Sequence, residues 1–127
     1  DLHHENRRQR QMCIRDRHEA ADQLEKEGIE VEIIDLVTIR PLDLDTIIES
    51  IKKTNRLVIV EESFPVASIS SEIAYRVQRN AFDFLDAPIL RLCQTDTPFA
   101  FSPPLIEEAL PQVKDIMEAV KSVAYVL

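Results

Sequence analysis

Two carboxylates side by side can act as general acid and base or hold a magnesium ion, and Glu61 and Glu62 stand together directly after the apolar run Leu57–Val60. Adjacent residues at a strand end point to opposite faces, which works against a shared site. The expectation is therefore that one caps a helix or accepts a hydrogen bond while the other faces solvent. Asp35, Asp96 and Thr97 stand at or beyond the carboxyl ends of predicted strands, where open α/β sheets place their ligands. Arg40, in the stretch Thr38–Asp43 (TIRPLD), has the planar fork that binds carboxylate or phosphate; a strand-to-helix turn with Arg40 held by a neighbouring acid is the plainer reading. Cys93 ends an apolar strand with no base or cation nearby in sequence, so it reads as an inert buried thiol. Phe82, Phe84, Phe99 and Phe101 are expected to pack in the core and its loops, with any exposed portion available as a contact surface. No self-sufficient catalytic set emerges.

Other chemistries are closed by composition. The only glycine is Gly28, so neither a dinucleotide-binding fingerprint nor a phosphate loop can be built. All three histidines, His3, His4 and His18, precede residue 19, leaving the rest of the chain without an imidazole for a triad or a zinc site. Cys13 and Cys93 form no paired motif. No apolar run approaches the ~20 residues that cross a bilayer, and the start at Asp1 has no signal core, so membrane insertion and secretion are not expected. The 127 residues carry a net charge of −8. Residues 1–17 hold five Arg against three acids, leaving ten basic and twenty acidic side chains from His18 onward. A body of charge −10 repels nucleic acid and favours a basic protein partner.

The elements that must position these residues are regularly patterned. Ala20, Ala21 and Leu24 share a helical face that Gly28 terminates. Val31–Leu36 reads as a strand covered on both faces. Asp43 or Asp45 caps a helix carrying Leu44, Ile47, Ile48 and Ile51. Leu57–Val60 and Ile89–Cys93 are further strands, separated by a helix that Ser70 or Ser71 opens, with Ile73, Ala74, Val77 and Ala81 as its stripe. Pro111 suits the first turn of a last helix bearing Val113, Ile116, Met117, Val120, Val123 and Ala124. This alternation predicts an α/β chain with a mainly parallel sheet between two helical layers. Three strands are few for such a sandwich, so a first strand or strands are expected to be lacking at the front. Residues 1–17 show no periodicity, and Gln9–Arg17 resembles translated sequencing-adapter read-through; the expected division is a foreign-looking or disordered leader over 1–17 and a domain over 18–127.

Five motifs in order, VEIIDLVTIRPLD, IKKTNRLVIVEESFP, SSEIAYRV, FDFLDAPILRL and LPQVKDI, resemble the C-terminal domain of the β subunit of the thiamine-diphosphate-dependent first enzyme of 2-oxo acid dehydrogenase complexes. The pyruvate dehydrogenase branch is the most similar, and the resemblance covers about Glu19 to Val126. It implies a transketolase C-terminal-like α/β/α sandwich, N-terminally truncated, that joins an α subunit and a second β subunit. In the parent oxidoreductase, thiamine diphosphate and Mg2+ sit between α and the β subunit's N-terminal domain, which has no counterpart here. This chain alone is therefore expected to bind no cofactor, to contain no catalytic or metal-binding residue and to be inactive. Within the family, an acidic residue of the LDAP motif and the terminal carboxylate bind the basic subunit-binding domain of dihydrolipoyl acyltransferase, which carries over to Asp86 and Leu127; a turn into Pro88 is an equal and compatible role for Asp86.

The departures are Gln9–Arg17 where the family has a strand, VEESFPVASISSEI where it carries glycines, and a different ending, KSVAYVL. The implied compartment is bacterial cytoplasm, or mitochondrial matrix in a eukaryote. Competing readings are the C-terminal domain of a transketolase or deoxyxylulose phosphate synthase, which FDFLDAP and PQVKDI disfavour, and a receiver-like regulatory module. For the latter, Asp35 could be the phosphate acceptor, but QTDTP after Cys93 lacks the required Lys.

Overall fold

The computed structural model describes residues 17–36, 40–61, 66–93 and 112–124. Residues 17–26 are helical (α1). The helix stops where Gly28 enters the left-handed region at φ +85°, with the Gly28 N–H donating to Glu25 O at 3.0 Å and the Ile29 N–H to Leu24 O at 2.9 Å. This paired closure uses the residue type that adopts positive φ without strain. Ala20 and Leu24 are fully buried, as their shared face requires.

Helix α2 spans Leu44–Thr54 and follows the Arg40–Pro41 peptide, which is cis. Its cap is Asp43: Oδ1 accepts from the Thr46 N–H at 3.2 Å and Oδ2 from the Thr46 hydroxyl at 2.6 Å. These bonds, the hydroxyl's first, hold the Asp43 carboxyl below its ordinary value. Ile47 and Ile51 are buried on the inward side of α2. Helix α3, Ile69–Ala81, continues into a 3-10 turn over Phe82–Phe84, and helix α4 is Val113–Val123. Helix α3 therefore begins one residue before the earliest predicted start, with Ser68 at its cap. Pro111 lies outside the described residues, and α4 opens from Gln112, whose N–H donates to the Asp115 carboxylate at 2.9 Å.

Strands β1 (Val58–Val60) and β2 (Leu90–Leu92) pair in parallel, Val58 opposite Leu90 and Val60 opposite Leu92. Each is shorter than its predicted run, and α3 is the crossover between them. Leu57, Ile59 and Ile89 pack against the buried cluster of Ile47, Ile51, Ile73, Val77 and Ala81 from α2 and α3. The strand alternation turns Val58, Val60, Leu90 and Leu92 to the other face, where α4 lies against both strands. Helices thus cover both faces of a parallel sheet, as the α/β reading requires.

Val31–Leu36 is a correction: among the described residues it is not a strand, and the sheet has two strands. An extended segment becomes a strand only by sharing a ladder, and 31–36 pairs with neither β1 nor β2. Ile34 and Leu36 still pack on the core cluster, whereas Val31 is exposed.

Ile51→Ala should lower unfolding free energy by about 2 to 5 kcal/mol in urea titration, because the buried side chain would leave a cavity. Asp43→Ala should lower the thermal midpoint at neutral pH. Because folding depresses the Asp43 pKa, its stabilisation is full above the unfolded carboxylate value and is lost as pH falls through the folded value; wild type and variant should converge there.

Candidate functional site

The carboxyl ends of β1 and β2 meet the start of α3, and a polar network forms there. Glu61, the first residue past β1, accepts from the Ser70 N–H at 3.1 Å through Oε2, so a carboxylate occupies the positive end of α3. This is the capping role expected for one member of the acidic pair; Glu62 lies outside the described residues. Arg91, in the middle of β2, donates from Nη1 towards Ser71 Oγ at 2.8 Å, Ser68 Oγ at 3.2 Å and Ser70 Oγ at 3.3 Å. Ser68 and Ser70 share a hydroxyl contact of 2.7 Å, and the Cys93 thiol lies 3.7 Å from Ser70 Oγ.

This arrangement ties a strand pair to its crossover helix. A serine nucleophile needs a base within reach of its hydroxyl, whereas Glu61 is bound to the backbone of fully buried Ser70. An added anion would meet the Glu61 carboxylate already at the helix end. Cys93 is half-buried, not buried as expected, and Arg91 projects from the same strand face and bonds the same Ser70 hydroxyl. Among the described residues no group of three His, Cys, Asp or Glu side chains could hold a metal ion. No helix of the described residues is long and apolar enough to cross a membrane.

The remaining sequence candidates do not join this network. Asp35 and Arg40 are exposed, and Arg40 makes no ion pair among the described residues, contrary to the expected acidic partner. The predicted positions Asp96, Thr97, Phe99, Phe101, Cys13 and Leu127 lie outside the described residues. Phe82 and Phe84 are corrected from core to surface, at 65% and 41% exposure. They occupy a 3-10 turn just beyond the last buried position of α3, Ala81, and Lys52 Nζ stands 5.5 Å from the Phe84 ring centre.

Asp86 follows that turn and is exposed, while its N–H donates to Asn55 O at 2.9 Å. With Tyr75, Phe82, Leu85, Ala87 and Pro88 it borders an open groove of about 750 Å³. Tyr75, like Phe82, is exposed. The lining thus combines apolar side chains with Asp86 and Arg91, and the Asp86 loop is fixed by a backbone hydrogen bond. Sequence reasoning missed Arg91, Ser68, Asn55 and Arg56. An Arg inside an otherwise apolar strand must find partners, which was the available signal for Arg91. Asn55 was signalled by its place after α2 in a chain almost without glycine, since Asn is the usual second choice for a left-handed helix end.

The alternating elements, the parallel pair and the helices on both faces have a counterpart among known families. Residues 12–116 match the family model for the transketolase C-terminal domain, and the chain belongs to that family. It is 56% identical over 106 residues to the pyruvate dehydrogenase E1 component subunit beta of Rhizobium meliloti (strain 1021), covering 84% of this chain and 23% of that protein. It is 52% identical over 107 residues to the same subunit of Rickettsia felis, covering 84% of this chain and 33% of that protein. The mitochondrial subunit beta-2 of Oryza sativa subsp. japonica is 49% identical over 107 residues, with coverage of 84% and 28%. The chain thus spans about a quarter to a third of the length of these relatives. The expected resemblance and fold class both stand.

Arg91→Met should destabilise the domain by about 1 kcal/mol in denaturant titration, because three hydroxyls lose a charged donor at a partly exposed site. Glu61→Ala should shift the start of α3 towards faster amide hydrogen exchange, read at Ser70 and Ser71.

Proposed function

We propose that this chain serves as the C-terminal domain of the β subunit of a pyruvate dehydrogenase first component. The observation that carries this reading is the 56% identity to the Rhizobium meliloti subunit across 84% of the chain. Its roles are assembly with an α subunit and a second β subunit, and docking to the subunit-binding domain of dihydrolipoyl acyltransferase. The parent enzyme decarboxylates a 2-oxo acid, with pyruvate the substrate that the relatives' names support, and reductively acylates a lipoyl group. Its compartment is bacterial cytoplasm, or mitochondrial matrix in a eukaryote.

Among the described residues nothing assembles a magnesium site. Glu61 is committed to the start of α3, and no three ligating side chains converge. The bond-breaking chemistry is assigned to other parts of the enzyme, and this domain supplies surfaces. Asp86 suits docking because its carboxylate is exposed while its backbone is held, so a cationic partner meets a charge already in place. The acidic body assists approach of a basic partner. Leu127 is the second proposed contact.

Titration of the 127-residue chain with an isolated subunit-binding domain should give saturable binding. Asp86→Ala should weaken it by about tenfold, in the range of losing one partner of an interfacial charge pair, and raised salt should weaken wild type more than the variant. Binding indifferent to both changes would refute docking through Asp86.

A further inference from the structure

Three parts of the chain, far apart in sequence, meet at one two-residue turn. Asn55 closes α2 in the left-handed conformation, φ 62° and ψ 12°, with its N–H donating to Ile51 O at 2.7 Å. Its carbonyl accepts the Asp86 N–H at 2.9 Å. The next residue, half-buried Arg56, donates from Nε to Val123 O at 2.8 Å, on the last residue of α4. Carbonyls in a final helical turn lack intrahelical partners and carry the negative end of the helix dipole, so a guanidinium satisfies both conditions there. Thr54 reinforces the turn, its hydroxyl lying 3.0 Å from Ser50 O and 3.3 Å from Arg56 O.

Neither Asn55 nor Arg56 borders the groove beside Asp86. From this juxtaposition we propose that the Asn55–Arg56 turn is a positioning element, coupling the end of α4 to the Asp86 loop and holding the Asp86 carboxylate where a basic partner finds it. This rests on the docking reading and deepens it by assigning residues that act without touching the partner. Because Asn55 and Arg56 are consecutive, movement of the α4 end displaces Arg56 and, through the shared backbone, the carbonyl that holds Asp86. Arg56 is the handle by which this coupling can be altered without changing either docking residue.

Two readouts on the 127-residue chain test it: affinity for an isolated subunit-binding domain of dihydrolipoyl acyltransferase, and amide hydrogen exchange at Asp86 and at residues 120–124. Arg56→Met removes the donor and keeps the stem. It should weaken binding by about five- to tenfold and speed exchange at the Asp86 amide together with the end of α4, with Arg56→Lys intermediate on both readouts. Faster exchange confined to 120–124 would overturn the coupling. Coupled exchange with unchanged affinity, while Asp86→Ala still weakens binding, would overturn the positioning role and leave the docking reading intact. Unchanged affinity in both Asp86→Ala and Arg56→Met would overturn docking and positioning together. Should Arg56→Met not fold, Arg56→Lys carries the same test, and wild-type values on both readouts would overturn the proposal.

Discussion

Two parallel strands cannot be joined by a tight turn, so the chain must leave the end of β1, cross the sheet and return to the start of β2. Much of the described architecture depends on how that crossing is held. At its outward end the Glu61 carboxylate takes a backbone N–H of α3, and Arg91 reaches from β2 to the serines of the same helix end. At its return end the 3-10 turn closes on the Leu85 N–H, and Asp86 bonds back to Asn55. Between these ends, Ile73, Val77 and Ala81 bury the inner face of α3 against α2 and the strands. Apolar area supplies most of the driving force, and the polar ties fix where the helix begins and ends.

Most of this frame was legible in the residues. Asp43 followed by Leu44, Ile47 and Ile51 prescribes both the start and inward face of α2, and Gly28 marks the end of α1. Val31–Leu36 shows the limit of such reading. Its β-branched and apolar composition reports that part of the segment packs on a core, which Ile34 and Leu36 do, but composition does not report whether a neighbour offers a ladder. Phe82 and Phe84 failed differently: aromatic content gives no face once the helix period breaks into a tighter turn. The capping role of an acidic residue after β1 was foreseeable from strand geometry. The interest of Asp86 came from family resemblance, because a lone Asp before Ala-Pro reads equally well as a turn.

The two polar places on this domain differ in kind. The network at the start of α3 sets the Glu61 carboxylate on a backbone N–H and the Arg91 guanidinium on serine hydroxyls, and so joins elements of the fold. The Asp86 loop keeps its backbone engaged by Asn55 and is exposed, beside exposed Tyr75 and Phe82.

Ala67 lies in the same crossing with φ at 56°, the region where Cβ crowds the following carbonyl and an L-residue is disfavoured by about 1 kcal/mol. An alanine there makes the approach to α3 locally frustrated, at odds with an otherwise consistent set of caps and spacings. The turn at Val66 and Ala67 is thus selected by its surroundings more than by its own sequence. Its geometry is a tertiary property, inherited from the helix and strands on either side.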